Sequence, residues 1–185
     1  DTRISTELSE NVARLKREFS AEINTDLNLR EVTAGGRTPL VLVFMNGMAD
    51  EDQIDDFILK PVLKPVLPPV PERGKADFFL KRIFAMQEAA LTKDWSELKT
   101  AVLEGRSAVL IQGDDEAVLM DTRGFACRSI GETRNEATVI GPNEAFTENI
   151  RTCVTQLRRI IKTEDFICEF RDAGAGNRVR IALCY

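Results

Sequence analysis

Residues 141–162, GPNEAFTENIRTCVTQLRRIIK, carry the clearest periodicity in the chain. Apolar side chains recur there at helical spacing and form one continuous stripe, which predicts an amphipathic helix. The stripe comprises Phe146, Ile150, Cys153, Val154, Leu157, Ile160 and Ile161. A Gly-Pro turn precedes it, with acidic residues near its start and basic residues near its end, as the helix dipole favours. We therefore expect a long helix from Pro142 to Lys162, packed on a core through this stripe.

The opposite side of the predicted helix is polar and basic. It carries Arg151, Thr155, Arg158 and Lys162. Two interpretations stay open for these side chains. They can form a solvated face whose charges compensate the helix dipole, or they can form a docking face for another protein surface.

The composition is that of a globular protein. The chain has 185 residues, of which 43% are apolar and 30% charged, so it is long enough for one large or two small domains. Its formal net charge of -5 argues against nucleic-acid binding, which needs a basic face. No apolar run approaches the ~20 residues that cross a bilayer, and the N-terminus has no signal-peptide pattern.

The cysteines and the missing histidines limit the chemistry. Cys127, Cys153, Cys168 and Cys184 include no CxxC pair, and the chain has no histidine. We interpret the cysteines as reduced thiols in a reducing compartment and expect neither a metal nor another cofactor. Without histidine the standard Ser-His and Cys-His catalytic pairs are excluded, and no carboxylate pair is marked as catalytic.

In the first half, the pattern predicts a helix, a β-hairpin and a second helix. The first helix has apolar residues from Ile4 to Phe19, the strands cover residues 27–32 and 39–45, and Asp50 with Gln53 caps the second helix. Residues 60–73 contain five prolines and predict an extended linker. A helix is expected at 76–84, whereas 85–91 fits either a helix or a strand.

In the second half, Asp94 or Ser96 is expected to cap a short helix that ends at Gly105. Strands follow at 107–112 and 117–121, with further candidates at 125–128 and 137–140. After the long helix, the pattern predicts strands at 166–171 and 178–185. The acidic turn Asp114, Asp115 and Glu116 lacks the ligand spacing of a calcium loop. The glycine-rich turn 174–177 precedes a strand, whereas a phosphate-binding loop opens a helix. Both segments are therefore interpreted as ordinary hairpin turns.

The two ends of the chain resemble each other. Each has a helix and a hairpin, with Asn11 offset by 138 residues from Asn149 and Phe44 offset by 140 from Cys184. We predict an α/β fold of two small mixed-sheet lobes with related helix-plus-hairpin topology, joined by a linker. The lobes are expected at 1–65 and 94–185, with the proline-rich linker and a connecting helix at 66–93. The second copy stops at Tyr185, so we expect a turn, a helix and several apolar segments of ~20 residues to follow.

Several motifs are similar to the signature of the A subunit of spore germinant receptors, the GerA family. They cover the helix region and the segment before it, and a weaker similarity extends over nearly the whole chain. The residues concerned are FMNGMAD at 44–50, Asp121, Thr122, Arg123, Gly124, Arg128, Ser129, Gly141, Pro142, Phe146, Thr147, Glu148, Arg151, Thr152, Leu157, Arg158 and Arg159.

The resemblance implies a domain that faces the cytosol of the spore core, attached to the inner spore membrane through a following hydrophobic domain. It implies receptor assembly or signal transmission during germination, without catalysis. The implied partners are the B and C subunits, with a second copy of the domain or a small-molecule germinant as further candidates. The candidate contact residues are Asp121, Arg123, Gly141, Pro142, Glu144, Thr147, Glu148, Arg151 and Arg158. The alternative is a small-molecule-binding or carboxylate-dependent enzyme domain that uses the cleft between the lobes.

Overall fold

The apolar run at residues 40–45 forms the centre of the fold. In the computed structural model, which describes residues 2–124, 146, 148–174, 176 and 178–185, this run belongs to strand β2 (Thr38–Met45). Every side chain from Leu40 to Met45 is buried, because β2 has a strand on each side and helices on both faces. A strand covered on both faces has no solvent side, which explains why its sequence is continuously apolar.

A five-stranded antiparallel sheet surrounds β2 in the order β1-β2-β4-β5-β3. Its other strands are β1 (Leu27–Ala34), β3 (Ala89–Thr92), β4 (Ser107–Ile111) and β5 (Ala117–Met120). The ambiguous segment 85–91 thus leads into an edge strand. The pairing of β2 with β4, in which Leu40 lies opposite Ile111, joins the two hairpins that the sequence predicted separately.

One face of this large sheet is covered by helices α1 (Leu8–Glu18) and α5 (Trp95–Leu103). The alternating side chains Val41, Val43 and Met45 of β2 point into the apolar cluster beneath them. Asp94 caps α5 by accepting hydrogen bonds from the backbone N–H groups of its first turn, as the sequence predicted.

The other face is covered by a continuous helical segment at residues 51–62, whose middle turn is π-helical, and by α4 (Lys75–Arg82). The segment comprises α2 (Glu51–Ile54), a π-helical turn (Asp55–Leu59) and α3 (Lys60–Val62). Asp50 caps α2 through bonds from the N–H groups of Asp52 and Gln53. The acidic turn at 114–116 supports α4, because the buried Asp114 carboxylate accepts the N–H of Ala76 at 2.8 Å.

The predicted extended linker begins three residues later than expected. Residues Lys60–Val62 are helical, and Val62 is fully buried. Pro61 lies just after the π-helical turn, where the regular α-helical hydrogen-bond ladder is already interrupted, so its missing N–H is tolerated there. The remaining prolines lie between α3 and α4, in a stretch without regular secondary structure.

A second, two-stranded sheet follows α6 (Ile150–Ile160) and consists of β6 (Cys168–Ala173) and β7 (Val179–Cys184). The helix begins at Ile150, so the predicted start at Pro142 is wrong for the described residues before it. Asn149 has an extended backbone and caps α6, because its side-chain oxygen accepts the N–H of Arg151 at 3.0 Å. Phe146 therefore lies outside the helix, and its side chain is 67% exposed.

The predicted α/β class and the presence of two sheets are confirmed, and a helix followed by an antiparallel hairpin occurs at both ends of the described chain. The division between the sheets does not coincide with the predicted lobe boundaries at 65 and 94, because the large sheet takes strands from both sides of the linker. The strand candidates 125–128 and 137–140 lie outside the described residues. No helix in the described part of the chain has the length and apolar character needed to cross a membrane.

Candidate functional site

The small sheet is attached to the large sheet where β1 begins. Thr25 donates hydrogen bonds from its backbone N–H and from its hydroxyl to the carbonyl oxygen of Cys168, each 3.0 Å long. One residue further on, Asp26 forms an ion pair with Arg158 of α6 at 3.1 Å. These contacts join the entry to β1, helix α6 and the start of β6, and we call this region the junction.

Arg158 is the most deeply buried charged residue of the junction, with 1% of its surface exposed. Its guanidinium lies 4.5 Å from the centre of the Phe166 ring and donates to the carbonyl oxygen of Thr163 at 3.3 Å. Burial raises the pKa of the Asp26 carboxyl above its ordinary value, while the guanidinium groups of Arg158 and Arg151 oppose that rise. Because both side chains are buried, each charge is compensated by its partner instead of by water, and removing either one would leave a buried, unpaired charge.

Of the two interpretations left open for the basic side of the helix, a solvated face does not apply to Arg158, because its side chain is buried. Arg158 and Val154 lie one helical turn apart, and both are buried. Conversely, Ile160 of the predicted apolar stripe is 72% exposed. The helix turns part of its polar side inward because Asp26, which is remote in sequence, neutralises the buried guanidinium.

A second polar network links the junction to the helices below the large sheet. Lys99 of α5 contacts Glu164 at 2.6 Å and Glu18 of α1 at 3.3 Å. Glu18 also accepts hydrogen bonds from Arg14 and from the indole N–H of Trp95, both at 2.8 Å. Burial disfavours ionisation of Glu18, but the donors outweigh burial and lower its pKa to about 2. The carboxylate is therefore ionised at neutral pH and holds α1, α5 and the α6–β6 loop together.

A cavity of about 410 Å³ opens at the junction between the two sheets. It is lined by Thr25, Asp26, Asn46, Gly47, Glu51, Arg151, Val154, Thr155, Phe170 and Arg180. Groups of both charges therefore border one concave surface, with an aromatic ring and hydroxyl groups between them. Such a surface suits a small polar molecule that carries a carboxylate, or a polar segment of another protein.

Of the candidate contact residues, Arg151 lines this cavity. It lies in the first turn of α6, and its side chain is exposed. Arg180 of β7 lines the same cavity, lies 6.0 Å from the Phe170 ring centre and is 3.6 Å from the Asp172 carboxylate. Two guanidinium groups on different elements can thus address one acidic group from two directions.

Asp121 and Arg123 lie elsewhere, at the end of β5. Arg123 donates to Asp121 from its backbone N–H at 3.2 Å and from Nε at 2.8 Å, and the two side chains form an ion pair. These hydrogen bonds lower the pKa of Asp121 to about 2. Both residues line a separate cavity of about 560 Å³, together with Gln53, Phe57 and Glu88. The two side chains therefore pair with each other across a turn.

The remaining candidates give less information. Glu148 is exposed just before the Asn149 cap. Gly141, Pro142, Glu144 and Thr147 lie outside the described residues. The structure thus brings Arg151 and Arg158 to the junction and leaves Asp121 and Arg123 at a different cavity.

Sequence reasoning missed the acidic and polar partners at the junction. Asp26 lies between the first predicted helix and the first predicted strand, and Arg180 lies in the predicted strand 178–185, so neither was marked as a candidate. Asn46 and Glu51 flank the strand-to-helix turn after β2. Asn46 lies within the segment FMNGMAD, and Glu51 directly follows that segment. The segment lies between a buried strand and a helix cap. This position could have marked its polar residues as candidates, because binding residues often lie in the loops that follow strands.

Within the residues that the structure describes, no group of three or more cysteine or acidic side chains is arranged to hold a metal ion.

Comparisons with known proteins agree on one group. The family model described as "Bacillus/Clostridium GerA spore germination protein" matches residues 13–185. The chain is 26% identical over 184 residues to spore germination protein KA of Bacillus subtilis (strain 168), which covers 98% of this chain and 33% of that protein. It is 22% identical over 182 residues to spore germination protein GerLA of Bacillus cereus, covering 97% and 37%. The chain therefore spans about a third of the length of these curated relatives.

A solved structure has the same fold. It is the crystal structure of the N-terminal domain of the A subunit of the Bacillus megaterium spore germinant receptor GerK3, with a TM-score of 0.75 and 22% sequence identity. The match covers 100% of this chain and 66% of that one. At this identity the likeness supports the arrangement of strands and helices described above.

Proposed function

The chain belongs to the GerA family of spore germination proteins, as its motifs indicated, and on this premise we propose that it is an N-terminal region of a germinant receptor A subunit. In this role it faces the cytosol of the spore core and contributes to receptor assembly or signal transmission. The receptor is held in the inner spore membrane by a following hydrophobic domain and contains B and C subunits. No catalytic step is needed.

One observation carries the proposal: helix α6 has one arginine locked inside the junction and another exposed at its rim. Arg158 fixes the helix to the large sheet through Asp26, while Arg151 remains exposed beside the inter-sheet cavity. A partner that engages Arg151 would therefore act on an element coupled to both sheets. We expect the partner surface to be acidic, because guanidinium groups bind carboxylates in directed pairs.

Charge reversal at Arg151 tests the docking role. Arg151→Glu should leave the melting temperature of the isolated chain nearly unchanged, since an exposed charge contributes ~0–1 kcal/mol. In spores the same variant should reduce the level of assembled receptor and slow germination, because an acidic partner would meet a like charge. Circular dichroism melts, receptor immunoblots of spore membranes and germination rates measure the two effects.

Arg37→Glu is the matched control. Arg37 is exposed in the turn between β1 and β2. This turn lies at the far end of the hairpin from the junction, roughly 24 Å along the strands. The control should assemble and germinate normally. Normal receptor level and germination with Arg151→Glu would contradict docking through this face.

The cavity itself favours a second candidate function, binding of a small carboxylate or zwitterion. Its volume of about 410 Å³ and its mixed charges suit such a molecule. In a thermal-shift series with acetate, succinate and glycine, at least one compound should raise the melting temperature of the chain, since a ligand stabilises the state that binds it. Arg180→Gln should abolish that rise and Arg37→Gln should preserve it. A rise that survives Arg180→Gln, or no rise with any compound, would contradict this function.

The two candidates predict different behaviour of Arg151→Glu in spores. Loss of the assembled receptor supports docking. A receptor that assembles normally but responds poorly to nutrient supports binding in the cavity.

A further inference from the structure

Two cysteines face each other across the small sheet, next to the junction. Cys168 at the start of β6 lies opposite Cys184 at the end of β7, and their Sγ atoms are 3.5 Å apart. Cys168 is fully buried, whereas Cys184 is half-buried and is the more accessible of the two. Both are free thiols.

The backbone geometry at this position suits a cross-strand disulfide. Ile167 and Tyr185 exchange both backbone hydrogen bonds, at 2.9 and 3.1 Å. Because antiparallel pairs alternate, the neighbouring pair of Cys168 and Cys184 is a non-hydrogen-bonded pair, whose Cα atoms lie ~4.5 Å apart. Disulfides span Cα separations of ~4.4–6.8 Å, so side-chain rotation can join the two sulfur atoms without moving the strands.

We propose that Cys168 and Cys184 form an oxidisable thiol pair, a modification site that peroxide converts to a disulfide. The thiolate of Cys184 attacks one peroxide oxygen, becomes a sulfenic acid and releases water once the leaving oxygen takes up a proton. The sulfur of Cys168 then attacks the sulfenyl sulfur, the S–S bond forms and a second water leaves. Overall, two thiols and one peroxide yield one disulfide and two waters.

The surroundings determine the order of the two steps. Burial raises the pKa of the Cys168 thiol, and the nearby Asp26 carboxylate adds to that rise. Cys168 is therefore protonated and shielded from peroxide, so Cys184 reacts first; Cys168 is the resolving thiol and gives up its proton as its sulfur attacks the adjacent sulfenyl sulfur. Since the carbonyl oxygen of Cys168 accepts both bonds from Thr25, the new cross-link would lie at the attachment point of the two sheets. This site is independent of the proposed receptor role.

The test is peroxide treatment of the intact chain, followed by thiol blocking and tryptic digestion without reduction. The expected product links the peptide covering residues 163–171 to the peptide that begins at Ile181, with the loss of two hydrogens. Thiol titration after denaturation should fall from the four cysteines of the sequence to two. Oxidation should also raise the melting temperature, because a cross-link restricts the unfolded chain.

Cys153→Ser is the matched control and should leave both the linked peptide and the melting shift intact. Cys168→Ser and Cys184→Ser should each abolish both readouts. In Cys168→Ser the sulfenic acid of Cys184 should become trappable by dimedone, which also shows that this variant still reacts. Linkage of either cysteine to Cys127 or Cys153, or oxidation of Cys184 to sulfinic acid while Cys168 stays free, would overturn the proposal.

Discussion

Asp26→Leu is expected to lower the free energy of unfolding by about 3–5 kcal/mol, the usual effect of leaving one member of a buried ion pair without its partner. Arg158 would remain inside the junction with 1% of its surface exposed. It cannot relieve the cost by losing a proton, because a guanidinium stays charged at any ordinary pH. Urea denaturation followed by circular dichroism measures the change.

Arg158→Met should cost less than Asp26→Leu, and its cost should depend on pH. Without the guanidinium, the buried Asp26 carboxyl can take up a proton, since burial already raises its pKa. A carboxyl whose pKa is higher in the folded state than in the unfolded state stabilises the fold at low pH, and that contribution is lost as the pH rises. The deficit of Arg158→Met should therefore shrink as the pH falls towards 3.8, the ordinary value for aspartate.

The double variant Asp26→Leu/Arg158→Met provides the decisive comparison. Removing both charges leaves no buried ion, so most of the lost stability should return. Arg151→Met, an exposed arginine on the same helix, is the control and should change the stability little. If Asp26→Leu and Arg151→Met have equal, small effects, then Arg158 is solvated in solution and the junction is not held by this pair.

The ion pair also marks the limit of what the sequence could predict. Val154 and the apolar residues around it correctly indicated a helix, because periodicity is a local property. The direction of Arg158 depends on Asp26, which is 132 positions away in the chain. No local pattern distinguishes a basic side chain in water from one that meets a distant carboxylate.

The order of strands in the large sheet likewise depends on contacts between residues that are distant in the sequence. The hairpins β1–β2 and β4–β5 follow from turns and alternating apolar residues, whereas the pairing of β2 with β4 depends on how the two hairpins meet. The continuous apolar run from Leu40 to Met45 was nevertheless informative. A strand without a polar side needs cover on both faces, so it indicated a central strand instead of the edge of a small lobe.

Gly47→Ala is expected to lower the free energy of unfolding by about 2–5 kcal/mol, through backbone strain and overpacking together. Gly47 lies in the turn between β2 and α2 with φ of +78°, a conformation that disfavours any residue with a Cβ. A Cβ at this position would also overlap Oγ1 of Thr155 on α6. Thermal and urea denaturation of the variant measure the loss.

Gly36→Ala separates the two causes. Gly36 also has a positive φ, +70°, but a Cβ there would meet no atom within 4 Å, so only strain of about 1–2 kcal/mol is expected. In a Thr155→Ala background the overlapping oxygen is absent, and the cost of Gly47→Ala should fall to that of Gly36→Ala. The difference between the costs of Gly47→Ala with and without Thr155 is the coupling energy of a double-mutant cycle. It measures the contact between α6 and the turn after β2. Equal costs for Gly47→Ala with and without Thr155 would mean that α6 does not pack against the β2–α2 turn in solution.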